Sequence, residues 1–183
     1  MKKTSLAIVV LMCFISYNAK AQFVAGGTLG LQAPVGYFGD WAKVGVGINL
    51  SGQYMLKENM AVGLNIGFNR FGGQDFGFGD GDHNYSYSMI PITGLFEYHF
   101  TVSSIKPYAG LELGFYHMGF RVKYGREVER DGEFYFGLAP TAGVLYSIND
   151  NLILCGNLKL HNVFAEGDNL TWIGINAGVR IPF

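Results

Sequence analysis

Val44-Gly45-Val46-Gly47-Ile48-Asn49-Leu50-Ser51-Gly52-Gln53-Tyr54 decides the fold. Its even positions carry Val44, Val46, Ile48, Leu50 and Tyr54, and its odd positions carry Gly45, Gly47, Asn49, Ser51 and Gln53. Successive side chains of a strand leave opposite faces, so a period of two marks a strand and not a helix. The next stretch repeats the pattern, with Val62, Leu64, Ile66 and Phe68 set against Gly63, Asn65, Gly67 and Asn69. A soluble sandwich would set an apolar core against a charged exterior. Here one face is apolar, the other holds glycines, amides and a hydroxyl, and neither is charged. An apolar, uncharged outward face is what lipid contact requires.

Working outward, the chain divides into eight such segments, at roughly 23–33, 43–55, 60–71, 86–100, 107–121, 133–148, 152–163 and 170–183. Most are long for globular strands of about 5 to 6 residues, but long enough for a tilted strand to cross a bilayer. Their inner faces hold few apolar residues beyond Leu95, Leu145 and Ile153. The connections alternate in length. Lys57-Glu58-Asn59, Thr101 to Lys106 and Asn149-Asp150-Asn151 are short, whereas 34–42, 72–85, 122–132 and 164–169 are mostly longer and more polar. Tight periplasmic turns and larger external loops alternate in this way in outer-membrane barrels, and an even strand count puts both termini in the periplasm. Closure removes the strand edges that lipid could not satisfy. The expected fold is therefore all-β: an eight-stranded antiparallel transmembrane barrel with up-and-down meander topology.

Composition agrees. Of 183 residues 49% are apolar and only 15% charged, and 27 are glycine, which is too apolar and too glycine-rich for an ordinary cytosolic enzyme. At the amino terminus, Lys2 and Lys3 precede an apolar run from Leu6 to Tyr17, and Ala19-Lys20-Ala21 follows. That layout predicts a signal peptide over 1–21 and a barrel domain over 22–183. Met12 stands before Cys13 where lipoprotein attachment expects a small residue. Cleavage would leave 10 basic and 14 acidic residues of the 13 and 14 in the whole chain, a net charge of −4 with no basic stripe, so nucleic acid is not an expected partner. It would also leave Cys155 as the one cysteine, too few for a disulfide or a structural zinc site.

Aromatic residues fall where strands should meet the interfaces. Tyr54, Tyr98, Phe100, Tyr146 and Phe183 mark periplasmic ends, and Phe68, Phe134 and Phe136 mark external ends. The chain closes on Ile175-Asn176-Ala177-Gly178-Val179-Arg180-Ile181-Pro182-Phe183. On these features, residues 22–183 resemble the small eight-stranded outer-membrane barrels of the OmpA/OmpX/OmpW kind. The resemblance implies integral residence in the cell outer membrane, and it implies that Ile175, Val179, Ile181 and Phe183 form the signal read by the barrel assembly machinery. Pro182 departs slightly from that pattern, at a strand end where one ladder donor can be lost.

By parity, Glu97, His99, Glu112, Tyr116, Asn157, Lys159, His161 and Arg180 face the lumen, with Asn176. Two acids and two bases balance there, and buried charges persist only when partnered. An eight-stranded barrel is about wide enough for side chains to fill, so a paired, hydrogen-bonded lumen network is expected. His161-Asn162-Val163-Phe164-Ala165-Glu166 loosely resembles the site of barrel lipid A deacylases, but Val163 stands where the serine nucleophile belongs. Asp80-Gly81-Asp82-His83-Asn84 begins like a calcium loop and then departs at Tyr85 and Pro91, which leaves a solvated glycine–aspartate loop. Lys123 to Glu133 gathers Arg126, Glu127, Glu129, Arg130, Asp131 and Glu133, a mixed-charge tip able to meet lipopolysaccharide phosphates or a host surface.

The expectation is a non-enzymatic barrel with a mostly filled lumen, no metal and no cofactor. It would act structurally or through external contacts at Asp80, Asp82, Arg126 and Arg130, with lipid, lipopolysaccharide and an extracellular ligand as partners. The alternatives are a narrow channel for small or apolar solutes and, further off, a lipid A-modifying enzyme.

Overall fold

Segments with one apolar and one polar face can hide their backbone polar groups from lipid only by pairing edge to edge until the sheet closes. The computed structural model describes residues 22–73, 84–100, 103–124 and 127–183, with the backbone alone at 84–85, 121–124 and 127–131. Among the described residues, eight strands follow in chain order: β1 (Phe23–Val35), β2 (Gly45–Lys57), β3 (Met60–Gly72), β4 (Asn84–His99), β5 (Ile105–Tyr124), β6 (Glu127–Asn149), β7 (Leu152–Phe164) and β8 (Leu170–Pro182). Each pairs antiparallel with its sequence neighbour, and β1 closes the barrel on β8 from Val24↔Pro182 to Val35↔Thr171. A strand of 13 residues such as β2, tilted by about 45°, covers about 30 Å, enough for the apolar band of about 25 Å.

The belt expected from the even positions of β2 faces outward, where Val46, Ile48 and Leu50 are exposed, as are Leu64, Ile66 and Phe68 of β3. Periplasmic turns are tight. β2 passes to β3 through Glu58 and Asn59, and β6 to β7 through Asp150 and Asn151, where the Asn151 N–H donates to Asn149 Oδ1 at 2.9 Å.

Three features differ from the sequence expectation. The segment 122–132, expected as a loop, is mostly ladder: β5 runs to Tyr124 and β6 starts at Glu127, with Arg121 opposite Arg130. Backbone pairing does not need the apolar alternation that lipid contact imposes, so the hairpin continues where that pattern stops. The first external connection folds into a short helix, α1 (Tyr37–Trp41), entered at Gly36, whose φ of 59° suits glycine. The inner face is also less polar than expected near the external end, where Phe71, Met89, Val163, Leu170 and Trp172 are buried.

Glycines inside the strands make room for large lumen rings. A Cβ at Gly143 would meet the Tyr108 ring at 2.6 Å, and one at Gly137 would meet the Tyr116 ring at 2.8 Å. Tyr108 lies over Gly143, its register partner, whereas Tyr116 leans over Gly137, two positions along β6 from its own partner Tyr135, and this room is why each glycine is tolerated within a strand.

Candidate functional site

The lumen residues named by parity are all buried, and the barrel brings them together in layers. Nearest the periplasm, Arg180 of β8 reaches across to Glu97 of β4, with Nη1 to Oε2 at 2.7 Å and Nη2 to Oε1 at 3.0 Å. This fork is the strong geometry for a guanidinium and a carboxylate. Gln53 of β2 donates to Glu97 Oε1 at 3.1 Å and accepts from Arg180 Nη1 at 3.1 Å. Arg180 Nη2 also donates to the Tyr108 hydroxyl at 3.2 Å, and His99 Nε2 lies 3.5 Å from Glu97 Oε2. Four strands therefore meet at one ion pair.

A second layer centres on Glu112 of β5. Lys159 Nζ of β7 lies 2.5 Å from its Oε1, while Asn65 and Thr93 donate to Oε2 at 3.2 and 3.0 Å. Each of these four charges thus has a counter-charge, and Glu97, Arg180 and Glu112 hold further hydrogen bonds, as burial demands. Beside these lies an amide chain, in which Gln32 Nε2 donates to Asn176 Oδ1 at 2.9 Å and Asn176 Nδ2 donates to Asn157 Oδ1 at 3.0 Å.

Toward the external end the chemistry changes. His161 stacks on Trp172, with ring centres 4.5 Å apart and planes 9° from parallel, and its Nδ1 lies 3.1 Å from the Tyr116 hydroxyl. Phe38 of α1 enters this cluster from above, edge-on to Phe71 at 5.1 Å and to Trp172 at 6.1 Å. It is 1% exposed, although it belongs to a loop segment. Sequence reading missed this aromatic cap. Parity placed Tyr116 and His161 inside, and the same rule applied to Phe71 and Trp172 would have exposed the cluster. Phe38 offered no periodic signal.

His161 is enclosed by Trp172 and Tyr116 and is 1% exposed, and Val163 beside it is buried and apolar. Among the described residues, the hydroxyl within hydrogen-bond distance of His161 is that of Tyr116. Among the described residues, no group of three or more His, Cys, Asp or Glu side chains is placed to hold a metal. Asp80, Asp82 and Arg126 lie outside the described residues, and Arg130 is placed by its backbone alone in β6. Ile175, Val179 and Ile181 of β8 point outward and Phe183 lies exposed at the chain end, its N–H donating to the Phe23 carbonyl at 2.8 Å.

A closed antiparallel meander with an apolar outer wall and a polar, ion-paired interior defines a small outer-membrane barrel. The chain belongs to the outer membrane protein beta-barrel domain family, whose model matches residues 6–183. It is 24% identical over 203 residues to an uncharacterised protein of Haemophilus influenzae, with 100% of both chains covered. Among solved structures it is similar to the neisserial surface protein NspA, with a TM-score of 0.66 and 18% identity over 88% of this chain and 97% of that one. It is also similar to OprG of Pseudomonas aeruginosa, with a TM-score of 0.59 and 16% identity over 88% and 95%. For Ail of Yersinia pestis, in complex with the heparin analogue sucrose octasulfate, the TM-score is 0.57 and the identity 13% over 88% and 99%. At these identities the likeness is one of fold.

Proposed function

We propose that this chain is a non-enzymatic, integral outer-membrane protein whose filled lumen does not conduct and whose work is done at its external face. The observation that carries the proposal is the stack of paired side chains across the barrel, from Glu97–Arg180 through Glu112–Lys159 to the cap of Phe38, Phe71 and Trp172. Between the two ion-pair layers the free space is about 20 Å³, roughly the room of one water molecule. A conducting pore needs a continuous wet path, and a stack of this kind interrupts it.

Removal of residues 1–21 as a signal peptide and use of Ile175, Val179, Ile181 and Phe183 by the assembly machinery belong to this proposal. So does contact between the β5–β6 hairpin and polyanions. Arg121, Lys123 and Arg130 belong to its strands and Arg126 falls between them in the sequence, and arginine forks suit phosphate and sulfate oxygens. Ail, of similar fold, was crystallised with a polysulfated sugar. Lipopolysaccharide phosphates supply comparable chemistry in the outer leaflet.

Planar-bilayer recording on the purified protein tests the proposal. The expected result is the absence of large, ion-selective steps. Steps whose selectivity changed in Glu112→Gln or Lys159→Met would establish the narrow-channel alternative. Lipid A mass spectra of a deletion strain are expected to match those of its parent; a new acylation pattern would establish an enzyme.

A further inference from the structure

At the periplasmic end the lumen opens into a cup of about 470 Å³, within the range of small-molecule sites. The Glu97–Arg180 pair closes its floor, so the cup is a dead end. Its two sides differ. Val24, Leu145 and Ile153 line the side built by β1, β6 and β7, whereas the side built by β2, β4 and β5 holds the polar and cationic groups Gln53, His99, Lys57 and Lys106 together with Met55 and Leu56. Above the floor, Glu58 is the single carboxylate in the lining among the described residues. Arg180 is already matched by Glu97, and no carboxylate forms an ion pair with Lys57 or Lys106 among the described residues. A cationic excess in a chain of net charge −1 is a local arrangement and not a reflection of composition.

His99 supplies the second observation. It is 4% exposed, its Nε2 faces Glu97 Oε2 at 3.5 Å, and its Nδ1 has no hydrogen-bond partner. A polar atom buried without a partner costs about 1–3 kcal/mol. The groups placed against the ring are Glu97 and Tyr108, the latter with its ring edge-on at 6.0 Å, and both of them bond Arg180. Nδ1 is thus the ring atom left without a partner beside the cup that His99 helps to line.

We propose that this cup binds a small amphipathic carboxylate from the periplasm, drawn in by Lys57 and Lys106, received at His99 Nδ1, and seated with its apolar body against Val24, Leu145 and Ile153. The floor is part of the filled lumen proposed above, so the site rests on that proposal. Conductance recordings report failure of the plug separately from failure of the cup.

The test titrates octanoate into protein extracted from membranes expressing the full chain and held in phosphatidylcholine nanodiscs. Nitrogen-15 signals of the histidine rings are followed, and His99→Gln identifies the His99 signal. Octanol carries the apolar body without the charge, and acetate carries the charge without the body. Saturable displacement of the His99 signal by octanoate alone is expected. The affinity should fall about tenfold in Lys57→Met/Lys106→Met, and heat-modifiable gel migration checks that this variant is folded. Equal response to octanol, response that never saturates, or unchanged affinity in the double variant would overturn the proposal. Because the octanoate–octanol comparison is made on the unaltered protein, it stands even if the variant fails to fold.

Discussion

Arg180 illustrates how much a single lumen residue carries. Its guanidinium bonds Glu97 twice and also reaches Gln53 and Tyr108, with the Tyr108 ring centre 5.1 Å from Cζ. Arg180→Met leaves the Glu97 carboxylate buried without its main counter-charge, a change expected to cost about 3–5 kcal/mol. Urea unfolding of the protein in lipid vesicles measures that loss. Glu97→Gln/Arg180→Met removes both charges and should recover most of it, because the penalty comes from the stranded charge more than from the lost bond. Glycines give a second contrast at this scale. Gly143→Ala presses a methyl group against the Gly156 carbonyl at 2.5 Å and the Tyr108 ring at 2.6 Å and should cost about 1–3 kcal/mol. Gly52→Ala meets nothing within 4 Å and should change stability by less than about 0.5 kcal/mol.

Elements differ in what secures them. β2 is held on both sides by ladders to β1 and β3, so its stability is shared along its length. Its outward side chains answer to the solvent around the barrel. Leu50→Arg sets a charge in the lipid belt and is expected to cost about 2–4 kcal/mol in a bilayer if it lies near the midplane. The same vesicle unfolding assay measures it. α1 is secured differently, through Phe38 alone among its buried residues. Phe38→Ala removes the anchor while leaving every barrel ladder in place. Protease cleavage within 36–44 should then accelerate with little change in the global unfolding midpoint, since local opening draws on local contacts. Because the chain has two tryptophans, the same substitution in a Trp41→Phe background should shift Trp172 fluorescence to longer wavelength. An unchanged spectrum would show that Phe38 does not shield the ring.

At the scale of the whole molecule, the barrel separates two chemistries by alternation. The outer wall is apolar because lipid offers no hydrogen bonds, and the interior charges are ion-paired because a buried charge needs a counter-charge. The asymmetry along its axis is a tertiary property: an aromatic cap externally and a cationic, half-apolar cup at the periplasmic end. Strand positions, topology, outer belt and inward-facing charges were legible in the sequence, since each follows from a period of two within one segment. The partners of those charges were not. Glu97 and Arg180 lie 83 positions apart, and Glu112 and Lys159 lie 47 apart; which acid met which base depended on closure and stagger. The cap was missed because Phe38 sits in a connection, where no period operates. The ladder at 122–132 was missed because backbone pairing continues where the apolar alternation of the sequence stops. The sequence by itself determined the wall, because lipid acts on every second residue of every strand. Only the tertiary structure decided which lumen residues meet, because those contacts join residues that neighbour one another only once the barrel has closed.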